Sequence, residues 1–184
     1  MAPRPVLFVQ GAGDMDDPEG SGRLADWLRG ELGAGYRVSA DPMPDAGDPS
    51  YPSWRDELER RLAAVGDRPV LVGHSFGGSV LVQCLAERSA RAPFAGLFLV
   101  AVPDWGPEGW EDEAVALPDD LAARLPPGPV FLYHSVDDPE VPFAHLALHR
   151  RRLPNATVRP VPGRQHSFTD GLPELAADIR SAAG

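Results

Sequence analysis

Residues 69–73, Pro-Val-Leu-Val-Gly, form an apolar run of strand length, and the chain leaves it through His74-Ser75-Phe76-Gly77-Gly78. Residues 76–88 then place Val80, Leu81, Cys84 and Leu85 at helical spacing. A buried strand that passes through G-x-S-x-G into a helix fits few architectures. The serine must sit on a sharp, strained turn, and the residues two positions to either side of it must be small, so that strand and helix can approach. Such a turn lifts the Ser75 hydroxyl above the edge of a sheet. It also aims the Phe76 amide into the same space, at a helix start that favours negative charge.

The rest of the chain repeats the alternation. Apolar runs at 6–9, 36–40, 69–73, 94–102, 130–134 and 157–161 read as strands. Helical spacing marks 20–33, 54–65, 76–88, 141–153 and 172–182. Residues 106–125 are irregular, with one short helix expected near 117–125. Strands alternating with helices imply βαβ units, hence a three-layer α/β/α sandwich around a mostly parallel sheet of about six strands. With 184 residues and no linker or repeat, a single domain over 1–184 is expected. In such a sheet function gathers at the carboxyl ends of the strands.

A serine needs a base, and the base an orienting carboxylate, in the chain order Ser, then Asp or Glu, then His. Of the five histidines, His166 follows the last strand, in the loop where the base belongs. His74 precedes the nucleophile and is expected to point away from it and pack at the strand end. His134 lies at the end of a strand, and His145 and His149 share a helix face. For the acid, Asp137 and Asp138 both follow the strand at 130–134, and Asp104 follows the strand at 94–102. The second oxyanion donor is expected in Gln10-Gly11-Ala12-Gly13, from the amide of Ala12 or, next, of Gly13.

Other classes of function fit poorly. A net charge of −10 argues against nucleic acid and anionic membranes as partners. Cys84 is the only cysteine, so no intrachain disulfide can form, and its helical position reads as core. The run at 6–9 is too short for a signal peptide, and no stretch approaches the roughly 18 apolar residues of a membrane span. A soluble, cytoplasmic protein is the expectation. Gly11-Ala12-Gly13 hints at a dinucleotide turn, but position 16 is Asp rather than Gly, and Asp14 and Asp16 would repel a pyrophosphate. His145 and His149 lack a third metal ligand at suitable spacing, so no metal and no cofactor is expected. Arg150-Arg151-Arg152 reads as a helix C-terminus complementing its dipole. Trp105 and Trp110 either border the cleft or pack the irregular segment.

Taken together, VLVGHSFGG, HSVDDPEVPF and GRQHSF resemble the α/β-hydrolase superfamily, and among it the small, capless serine hydrolases related to retinoblastoma-binding protein 9. The resemblance spans almost the whole chain. It implies that the second aspartate of the DDPxxP pattern, Asp138, is the acid, and that the fold is six-stranded without a large lid. It differs at Gln10-Gly11, where many α/β-hydrolases have His-Gly. The function it implies is hydrolysis of a small ester or amide by Ser75, His166 and Asp138 through an acyl-enzyme, with Phe76 and Ala12 as oxyanion donors. Without a lid, short substrates are expected over long lipids. The rival reading is a protein-interaction module on the same scaffold with weak or vestigial catalysis; no residue pattern names such a protein partner.

Overall fold

A computed structural model of the chain describes residues 2–88 and 92–184. Among these the elements alternate: β1 (Arg4–Val9), α1 (Ser21–Leu32), β2 (Tyr36–Ser39), α2 (Tyr51–Ala64), β3 (Val70–His74), α3 (Ser75–Glu87), β4 (Gly96–Val100), α4 (Leu121–Arg124), β5 (Val130–Ser135), α5 (His145–Arg152), β6 (Thr157–Val161) and α6 (Pro173–Ala183). The strands form one sheet in the order β2-β1-β3-β4-β5-β6, and every neighbouring pair is parallel.

Side-chain alternation along the strands divides the core in two. Val6, Phe8, Val70, Val72, Phe98 and Val100 pack with Leu24 and Leu28 of α1 and Leu175 and Ile179 of α6. Leu7, Val9, Leu71, Leu97 and Leu99 pack on the other face, with Trp54 and Leu58 of α2 and Val80, Leu81 and Leu85 of α3. The result is the three-layer sandwich expected of the sequence.

The element bounds depart from expectation where proline or a side chain takes a backbone group. The helix expected over 141–153 begins only at His145, because Pro142 follows Val141 and the Val141 N–H is held by Asp138 Oδ1 at 2.9 Å. The helix expected near 117–125 shrinks to Leu121–Arg124, with Pro118 before it and Pro126 after it. Conversely, α2 starts three residues early, since Pro52 suits a first helical turn.

Chain direction across the sheet reverses at β1. The path goes out from β1 to β2, then returns to β3 on the other side. The loops after β1 and β3 therefore part above the middle of the sheet, and the loops after β4, β5 and β6 follow along one edge of that crevice. Among the described residues, no helix is long and apolar enough to cross a membrane.

Candidate active site

Ser75 ends the strand-to-helix turn with φ +51°, a left-handed conformation that a serine adopts only under constraint. The turn is possible because its flanks are bare. A Cβ on Gly73 would stand 2.5 Å from Gly78 Cα, and one on Gly77 would stand 1.9 Å from the Gln10 carbonyl oxygen. The elbow thus packs directly under the loop after β1.

Three candidate residues converge here from separate loops. His166 Nε2 lies 3.0 Å from Ser75 Oγ, and His166 Nδ1 lies 2.9 Å from Asp138 Oδ2. With Nδ1–H donated to the carboxylate, Nε2 is left as an acceptor facing the Ser75 hydroxyl. Asp138 is further tied down, since its Oδ1 accepts the N–H groups of Glu140 and Val141 at 2.9 Å each. His134 Nε2 lies 3.4 Å from Asp138 Oδ2 while donating to the Val141 carbonyl at 2.9 Å. Burial pushes the Asp138 carboxyl upward, but hydrogen bonding from His134 and His166, the charge of His166 and the Val141 amide outweigh it. The group is held well below the usual carboxylate range.

The other candidate acids are engaged elsewhere. Asp137 Oδ1 accepts the Ser135 hydroxyl at 2.6 Å and the Gly163 amide at 3.0 Å, bracing the loop that carries His166. Asp104 is buried in an ion pair with Arg152 and accepts the Gly106 amide at 3.0 Å. Neither bonds to His166 among the described residues.

The loop after β1 is organised by Gln10, which sequence reasoning treated only as a departure from His-Gly. Its buried amide accepts the Met43 N–H at 2.8 Å and donates to the Gly13 carbonyl at 2.8 Å. The Gly13 amide is spent on the Ala46 carbonyl at 2.6 Å, whereas the Ala12 amide has no partner among the described residues. The Phe76 amide lies in the first turn of α3, where the helix offers it no carbonyl.

An aromatic row leads away from Ser75. The Phe76 ring meets Trp54 edge-on at 5.1 Å and Trp105 at 5.8 Å, and Trp105 meets Trp110 at 5.1 Å. Trp105 is fixed by its indole N–H on Ser79 Oγ at 2.8 Å. Trp110 rests on His145 and stays 43% exposed. Both tryptophans therefore pack the irregular segment, in a row of rings that starts at Phe76, next to Ser75. A cleft of about 320 Å³ opens beside His166, lined in part by Arg23, Glu140, Arg164 and Gln165.

The remaining histidines have structural partners. His145 Nδ1 accepts the Asp104 N–H at 2.8 Å, and His149 Nε2 donates to the Val102 carbonyl at 3.0 Å. Among the described residues no group of three or more His, Cys, Asp or Glu could hold a metal ion. Arg151 pairs with Glu108 and Arg152 with Asp104, so the arginine end of α5 holds the irregular segment.

The serine hydrolase family profile matches residues 19–160, a span that includes Ser75 and Asp138. No curated protein matches the sequence. Among solved structures, the ydeN gene product from B. subtilis is 20% identical, with a TM-score of 0.79 over 97% of this chain and 98% of that one. Est1E from Butyrivibrio proteoclasticus is 14% identical, with a TM-score of 0.69 over 98% and 87%. A monoacylglycerol lipase from Paleococcus ferrophilus is 17% identical, with a TM-score of 0.67 over 98% and 96%. At such identities the likeness is one of fold, and the fold is that of the α/β-hydrolase superfamily.

Proposed function

Because the chain belongs to the serine hydrolase family, we propose that it cleaves small carboxylic esters, or amides, through an acyl-enzyme on Ser75. The observation that carries this reading is the unbroken Ser75–His166–Asp138 hydrogen-bond chain, assembled from loops after three different strands. His166 Nε2 takes the hydroxyl proton as Oγ attacks the carbonyl carbon. Asp138, ionised, holds the ring and stabilises the imidazolium that forms. The carbonyl oxygen, now negative, sits against the Phe76 and Ala12 amides, each such donor contributing about 3 kcal/mol in comparable sites. The imidazolium then protonates the departing alcohol or amine. Water, deprotonated by His166, attacks the acyl-enzyme, and the imidazolium returns its proton to Ser75 Oγ as the acid leaves.

Substrate size follows from what surrounds the serine. The cleft beside His166 is small and mainly polar, and the segment between β4 and α4 is pinned to α5 by ion pairs rather than raised as a lid. This favours acetyl and butyryl esters over palmitoyl esters. The fold neighbours include a monoacylglycerol lipase, in line with ester chemistry on this scaffold.

Intact mass after exposure to a fluorophosphonate probe tests the reading. A single adduct on the wild type and none on Ser75→Ala is expected. A folded wild type that takes no adduct would overturn it and bring the protein-interaction role to the front.

A further inference from the structure

His74 directly precedes the nucleophile, yet its side chain takes no part in the Ser75–His166–Asp138 set. It is buried, at 3% exposure, with its ring centroid 5.1 Å from that of His166. Its Nδ1 lies 2.7 Å from Ser21 Oγ at the start of α1, and its Nε2 lies 2.9 Å from the backbone oxygen of His166. Ser21 Oγ in turn accepts the Gly11 amide at 2.8 Å.

One assignment of protons satisfies every group. A carbonyl oxygen only accepts, so Nε2 carries the hydrogen and donates to His166. Nδ1 of the neutral ring then accepts the Ser21 hydroxyl, whose oxygen receives the Gly11 N–H. Burial, with the neighbouring His166, pushes the His74 pKa down to about 3, so the ring keeps this neutral form through the physiological range. A protonated ring would turn Nδ1 into a donor and leave the Ser21 hydrogen without its acceptor.

Both ends of this relay reach catalytic loops. Gly11 lies beside the Ala12 amide, so close over the elbow that a Cβ on it would stand 3.0 Å from Ser75 Cβ. His166 lies between Gln165 at φ +52° and Phe168 at φ +50°, two left-handed residues that hold only if the loop is anchored from outside. The partners are 53 and 92 residues from His74 in sequence. We propose that His74 is a positioning residue, a neutral clamp that fixes the backbone of the base at one nitrogen and the oxyanion loop, through Ser21, at the other.

This proposal rests on the hydrolase reading, and the test separates the two. Fluorophosphonate labelling rates, kcat and KM on p-nitrophenyl acetate, and melting temperatures would be measured for the wild type and for Ser75→Ala, His74→Asn, His74→Gln, Ser21→Ala and the His74→Asn/Ser21→Ala double variant. Asparagine puts an oxygen near the Nδ1 position and loses the donor to His166; glutamine puts an N–H near the Nε2 position and keeps it. The expected result is a fall of about 10²-fold in kcat for His74→Asn with little change in KM, and substantial recovery in His74→Gln. Ser21→Ala should lower kcat too, and, because asparagine still offers Ser21 an oxygen, the double variant should lose more than either single variant. Asn and Gln variants equally active, losses that only track melting temperature, or a double variant no worse than His74→Asn, would overturn the proposal. Should His74→Asn not fold, wild-type labelling by Ser21→Ala would overturn it alone. A wild type without adduct would instead overturn the hydrolase reading beneath it.

Discussion

Asp137 and Asp138 are neighbours in one turn, yet their carboxylates face different tasks. Asp138 reaches His166 Nδ1 and is fed by two backbone amides, while Asp137 ties Ser135 to Gly163 across the base loop. An amide at position 138 could present N–H to Nδ1 and select the wrong tautomer. Asp138→Asn is therefore expected to lower kcat by about 10⁴-fold. Asp137→Asn removes only an exposed brace and should lower the urea midpoint slightly, with a small effect on kcat. Steady-state kinetics on p-nitrophenyl acetate beside urea midpoints decide this. The opposite ranking would move the acid to Asp137.

Among the elements, the segment between β4 and α4 owes its shape to α5 rather than to helix or strand of its own. Asp104 is the hinge of that attachment. Its carboxylate pairs with Arg152, its amide donates to His145, and its carbonyl accepts the Trp110 amide at 2.9 Å. Removing the carboxylate strands a largely buried guanidinium. Asp104→Ala is expected to cost about 3–5 kcal/mol, read from urea denaturation. Labelling of Ser75 in the folded protein should persist, because Asp104 makes no bond to His166. Loss of labelling without loss of stability would give Asp104 a part in the chemistry.

For the molecule as a whole, buried imidazoles shape the response to acid: burial pushes His74, His149 and His145 all downward. Burial pushes His74 to about 3 and His149 to about 4, against about 6.5 in an unfolded chain. Between those values the unfolded state binds more protons than the folded one, so stability falls as pH falls. Above pH 6.5 these rings cost nothing. Below it each contributes a loss approaching 1.4 kcal/mol per pH unit, down to its folded value. Urea midpoints at pH 7.5, 6 and 5 should decline accordingly, and His149→Gln should flatten the decline. Equal midpoints at pH 7.5 and 5 would contradict the burial argument.

Local pattern was enough for the kinds and order of the elements, because strand alternation, helical spacing and turn glycines act over a few residues. It also brought Ser75, His166 and the Asp137–Asp138 pair forward as candidates, since each follows a legible strand. The strand order β2-β1-β3-β4-β5-β6, the aim of each carboxylate and the partners of Gln10 and His74 were decided only by tertiary structure. Those features depend on hydrogen bonds between segments tens of residues apart. His74 shows the limit: its sequence neighbourhood places it just before Ser75, but its two partners come from α1 and the loop after β6. No local spacing encodes that meeting; the packing of α1 and the base loop around the carboxyl end of β3 does.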